Sequence, residues 1–164
     1  MVSAASNLKE YVKFTLVILG IFIVSIYLNL LFGTDAVDWR RYFMGTFFVV
    51  FAIFKFVGYQ MFVEMFAGYD IVAKRAKIYS YLYPFIELGL GVLYLFNMLP
   101  VGRDLLTLIF MGVGSIGVIQ EIYHRRSGVY CACLGNVIKL PLSTVSLVED
   151  VAMALMATLM LITV

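Results

Sequence analysis

Charge is scarce in this chain: of 164 residues, 12 are Lys or Arg and 10 are Asp or Glu, while 63% are hydrophobic. That balance lies far outside the range of soluble globular domains and predicts an integral membrane protein. A net charge of +2, spread over short connections, gives no basic surface for nucleic acid. Cysteine is nearly absent, with only Cys131 and Cys133, and His124 is the single histidine. A structural zinc site takes four ligands, so without a second cysteine pair that set stays incomplete, and His124 reads as a loop residue. No quinone, haem or flavin motif is visible, and the only cofactor expectation is a soft metal ion at the two thiols.

Long apolar runs fill most of the remainder. A helix rises about 1.5 Å per residue and the hydrocarbon core is about 30 Å thick, so roughly 20 apolar residues make one crossing. Five runs meet that need, at about 11–32, 42–65, 78–99, 105–122 and 147–164. They predict an all-α polytopic bundle in which residues 1–164 form one integral membrane domain within a lipid bilayer. The first run lacks a small-residue cleavage site after it and is expected to be a retained helix rather than a signal peptide. Lys9, Lys13, Lys74, Arg75, Lys77, Arg125, Arg126 and Lys139 fall on one side of the bundle, and Arg40, Arg41 and Arg103 on the other. The positive-inside rule then puts the N-terminus and the cysteine connection in the cytoplasm and the C-terminus outside, as in a bacterial inner membrane.

The second run does not stop cleanly. Glu64, Tyr69 and Asp70 continue at helical spacing into Lys74-Arg75-Ala76-Lys77, which suggests an amphipathic extension. Pro84 lies in the first turns of the third run, where its missing amide is tolerated or produces a kink. Gly112-Val-Gly114-Ser-Ile-Gly117 matches the dinucleotide fingerprint in form only. The fingerprint needs a preceding strand, whereas this segment lies inside an apolar helix where small residues permit close packing. Residues 124–145 form the longest connection, and beyond it Ser146-Leu-Val-Glu149 fits a capping box at a helix start.

Two groups of residues carry candidate chemistry. Lys55 and Glu87 lie inside apolar runs, where an isolated charge costs several kcal/mol unless it is paired or hydrated. The midpoint of 55 and 87 falls in the turn between antiparallel helices, so the two are expected at one depth and paired. Such a pair either fixes helix register or serves a proton or substrate path. Glu64, Gln120, Glu121, Glu149 and Asp150 are placed near the cysteine side, where solvation is the simplest account of them. The second group is the thiol pair. Residues two apart on an extended backbone have Cα atoms about 7 Å apart, near the upper limit for a disulfide, and a turn shortens this. Cys131 and Cys133 are thus able to exchange a disulfide or to grip a soft ion such as Cu(I), Hg(II) or Zn(II), with His124, Arg125 and Arg126 favouring thiolate.

In this order the residues resemble the MauE/DoxX type of membrane protein: Arg41 and Gly45 leading to Lys55, the aromatic run to Tyr69-Asp70, Pro84 with Ile86-Glu87 and Gly91, and the Cys131-x-Cys133-x-Gly135 loop. The likeness extends over about Arg41 to Ala157. It implies a four-helix membrane core, here with one extra N-terminal span, and an association with thiol redox chemistry. The leading expectation is therefore dithiol–disulfide cycling at Cys131 and Cys133 with a thioredoxin-like partner. A rival of another class is a soft-metal transporter or handover protein with a metal-binding partner. In that reading the cysteines are the landing site and Lys55, Glu87, Glu64 and Glu149 line a path. A third is a membrane scaffold without chemistry.

Overall fold

The computed structural model describes residues 2–33, 38–124 and 145–163. All the regular structure among them is helical: α1 (Val2–Phe32), α2 (Trp39–Val57), α3 (Tyr59–Tyr69), α4 (Ile71–Arg75), α5 (Lys77–Leu95), α6 (Pro100–His124) and α7 (Val145–Ile162). Tyr11–Phe32, Lys77–Leu95 and Pro100–Gln120 are each long and apolar enough to cross a membrane, and α2 with α3 passes the same test as a bent pair. The 18 residues of α7 pack along α6.

Close approach of α2 to α5 organises the bundle. At Gly91 an added Cβ would stand 2.7 Å from the Val49 side chain and 3.0 Å from the Val49 backbone nitrogen; at Gly45 it would meet Leu95 at 2.7 Å. Two glycines thus let the helix backbones come together, the packing mode favoured where lipid offers no competing hydrophobic drive. Phe47, Phe48 and Phe51 of α2 fill the core beside this crossing with Leu90 and Tyr94 of α5, Met111 of α6 and Met153 of α7. By contrast α1 buries little. It sets Ile21 into the core, with Phe14, Val17 and Ile18 packed beside it, and Phe22 meets Trp39 and Phe43 edge-on at 6.0 and 6.3 Å, while Leu16, Leu19, Ile23, Tyr27 and Leu30 face outward.

The continuous second helix expected from 42 to 65 is not formed. The chain breaks at Gly58 (φ −110°, ψ 35°) and turns through 103° into α3. Hydropathy does not register this, because both arms are apolar. The bend lets α3 fold back on α5, where Phe62 and Phe66 stack at 5.1 Å and Phe66 lies 4.5 Å from Tyr83. The extension toward residue 77 is likewise interrupted. Asp70 is the N-cap of α4, its Oδ1 accepting the Val72 amide at 2.9 Å and the Ala73 amide at 2.8 Å. Burial raises the Asp70 carboxyl above its ordinary range, opposed by those two amides and by Lys74. Pro84 lies within α5 and is buried; nearby, the Tyr59 hydroxyl donates to the Tyr81 carbonyl at 2.8 Å, tying α3 to α5 at this turn.

Three bases gather at one end of the bundle. Arg41 donates to the Leu95 carbonyl, Arg103 to the Leu93 carbonyl and Arg40 to the Thr163 hydroxyl, so these three bases share one end. Lys74, Arg75 and Lys77 lie on the α4–α5 side, beyond the other end of α2.

Candidate functional site: a charged cavity among five helices

Lys55 sits in the last turn of α2 and Glu87 in the middle of α5, and both are buried, at 5% and 4% exposure. The Lys55 ammonium donates to both Glu87 carboxylate oxygens at 2.6 Å. Its Nζ also stands 4.9 Å from the Tyr83 ring centroid and 5.6 Å from that of Phe62, so the cation is held by a carboxylate and two aromatic faces. The expected pair is present, although not across a simple turn. Glu87 lies ten residues into α5, and the first turns of that helix run past the end of α2 to pack against α3.

The pair borders a cavity of about 30 Å³, enough for roughly two water molecules. Phe47 and Phe51 of α2, Phe62 and Phe66 of α3, and Tyr83 of α5 form its aromatic walls; Met111, Gly114 and Val118 come from α6, and Glu149 and Asp150 from α7. Placement of the two α7 acids on a solvated face is thus corrected. They share the cavity with the buried pair, and Glu149 Oε1 is buried with no hydrogen-bond partner among the described residues. α7 starts at Val145, one residue ahead of the expected cap at Ser146, so Glu149 is already a helical position aimed at the bundle rather than at a helix start.

Gly114 explains how Asp150 fits. A Cβ there would lie 3.1 Å from Asp150 Oδ2, whereas Gly112 has open space around it. Gly114, unlike Gly112, thus lies where it admits a carboxylate. Glu64 is exposed on α3 and is not part of the cavity wall, and Gln120 is exposed as well. Path membership for Glu64 is not supported by this arrangement. The side chain of Glu121 and residues 125–144, with Cys131 and Cys133, lie outside the described residues. Among the described residues no three His, Cys, Asp or Glu side chains are grouped to hold a metal ion.

A buried Lys–Glu pair at the bend of a broken span, glycines at the α2–α5 crossing, and a long connection from α6 to α7 define the frame in which any relationship must hold. The family described as methylamine utilisation protein MauE matches residues 34–163. The chain belongs to the MauE family. Its match opens just after α1, so the N-terminal helix stands ahead of the family core and the other six helices fall within it. No curated protein and no solved structure matches the chain. Lys55, Glu87, Glu149 and Asp150 all lie within the matched region, as do Cys131 and Cys133.

Sequence reasoning found the Lys55–Glu87 pair, and its soft-metal path also named Glu149, but it left Asp150 out of that path and gave solvation as the simplest account of both acids. The available signal was Gly114, whose missing side chain matters only once α6 and α7 are in register.

Proposed function

We propose that this MauE-family protein carries out thiol–disulfide exchange at the membrane through Cys131 and Cys133, with a thioredoxin-like partner. What supports the reading most is that the helices flanking the cysteine connection, α6 and α7, both contribute to the charged cavity, through Gly114 and Val118 on one side and Glu149 and Asp150 on the other. In sequence the cysteines lie in the connection between these two helices. Under the positive-inside rule the end with Lys74, Arg75 and Lys77 faces the cytoplasm, and the opposite end with Arg40, Arg41 and Arg103 faces outward.

In the exchange, one cysteine thiolate attacks a partner disulfide sulfur and forms a mixed disulfide, which the second cysteine resolves. The Cys131–Cys133 dithiol is oxidised, the partner disulfide is reduced to a dithiol, and two electrons and two protons pass between them. The reverse exchange restores the dithiol. Neighbouring Arg125 and Arg126 favour the attacking thiolate.

Acid quenching of intact cells followed by alkylation tests this, with a membrane-impermeant reagent in parallel to report the side. A substantial intramolecular disulfide, and a mixed disulfide with a partner trapped when either cysteine alone is changed to Ser, are the expected results. Fully reduced cysteines under all growth conditions would overturn the exchange and favour soft-metal handover. That second reading rests on the thiols rather than on the cavity, since no metal-holding group is found among the described residues.

A further inference from the structure

The cavity poses a charge problem that the thiol reading leaves unused. Glu87 is compensated by Lys55, but Glu149 and Asp150 border the same space and add two further carboxylates, with no further cation in its wall among the described residues. An uncompensated carboxylate inside a membrane bundle is expensive, and Glu149 Oε1 is buried without a hydrogen-bond partner among the described residues. The existing pair shows what these walls recognise. Lys55 presents a primary ammonium, gripped by a carboxylate at 2.6 Å and faced by Tyr83 and Phe62. Carboxylate plus aromatic face is a surrounding that suits a weakly hydrated monovalent cation.

We propose that the cavity bordered by Lys55, Glu87, Glu149 and Asp150 is a binding site for one monovalent cation about the size of a water molecule, the class of ammonium and the potassium ion. Its volume of about 30 Å³ holds such an ion with one water. Glu149 and Asp150 are the ligands, Lys55 and Glu87 form the fixed wall, and Gly114 is a positioning residue that leaves room for the Asp150 carboxylate. The assignment goes beyond the thiol chemistry and does not depend on it.

Thermal unfolding of the purified full chain in detergent tests the site, with ammonium chloride, potassium chloride or the bulky cation N-methylglucamine added as chloride at constant ionic strength. Ammonium or potassium is expected to raise Tm saturably, by about 5–10 °C at roughly a hundred times the dissociation constant, while N-methylglucamine does not. Comparing the two small ions identifies which is preferred. The shift should disappear in a combined Glu149→Gln, Asp150→Asn variant and persist when both cysteines are changed to Ser, which separates this site from the thiol reading. An equal response to all three salts, or an undiminished shift in the folded Glu149/Asp150 variant, would overturn the proposal. Should that variant fail to fold, infrared difference spectra of the wild type between ammonium and N-methylglucamine replace it. Altered carboxylate bands support the site, and unchanged spectra dominated by protonated carboxyl bands refute it by showing that protons neutralise the acids.

Discussion

Two buried polar clusters are threaded on α2, at Arg41 and at Lys55, 14 residues and therefore about 21 Å apart along the helix. Around Arg41 the charges balance. Arg103 lies beside Asp104 at 3.5 Å and donates to Asn97 at 2.8 Å, Arg41 faces Asp38 at 4.0 Å, and the Tyr94 hydroxyl bridges Asp104 at 2.7 Å and Thr107 at 3.1 Å. Most of these partners are close in sequence, gathered where α5 turns into α6 through Asn97 and Leu99, both at positive φ. Such a cluster closes a turn and ties helix ends together. Around Lys55 the contributors come from α2, α5 and α7, the acids outnumber the base, and a cavity remains. The two designs thus differ: near Arg41 bases and acids pair, although Arg41 Nε, Arg103 Nε and Asp104 Oδ2 have no hydrogen-bond partner among the described residues, whereas around Lys55 the acids exceed the base beside a cavity.

Removing a cation separates the two most sharply. Lys55→Met should destabilise the protein by about 3–5 kcal/mol, because it orphans Glu87 beside two other acids. Adding Glu87→Gln to it should recover part of that loss, since both partners then go together. Chemical unfolding in detergent measures both, and a Lys55→Met protein as stable as the parent would erase the distinction. At the balanced end, Tyr94→Phe should cost about 1–3 kcal/mol, the penalty for a buried hydroxyl whose acceptor is left without its donor, with no change in the response to small cations. A loss of that response in Tyr94→Phe would mean that the clusters are coupled along α2.

Smaller changes refine the bent end. Asp70→Ala removes the α4 cap and should cost about 1 kcal/mol, with faster amide hydrogen exchange at Val72 and Ala73 as the local readout. Gly114→Ala should alter stability by less than about 1 kcal/mol, the gain in helix propensity offsetting the tight contact with Asp150. It should nevertheless weaken cation binding measurably, because the carboxylate must move. Unaltered binding in Gly114→Ala would show that Asp150 is not a ligand.

The long helices were legible as apolar runs, unlike the five-residue α4, and the Lys55–Glu87 pair was legible because two lone charges in neighbouring antiparallel spans have few other partners. The reversal at Gly58 was not. Apolar residues dominate both sides of the break despite Lys55, Gln60 and Glu64, so hydropathy reads as one span what the backbone divides by 103°. Gly45 and Gly91 were visible as glycines but not as a crossing, which requires knowing that their helix faces meet. For Glu149 the sequence leaves a cap, a solvated acid and a path-lining group all open, since its proximity to a loop in sequence says little about how deep α7 begins. Cys131 and Cys133 remain candidates on their chemistry alone, as their connection lies outside the described residues.

By itself, the sequence determined that this chain lives in a bilayer as packed helices, because composition sets solvent preference and apolar run length sets the number of crossings. It also determined that Lys55 and Glu87 must find each other, since an unpaired charge at that depth is too costly. Only the tertiary structure decided that Glu149 and Asp150 join them. That outcome depends on the register between α6 and α7, on the space at Gly114, and on α3 folding over the end of α2, all of which are set by surfaces meeting across elements far apart in the chain.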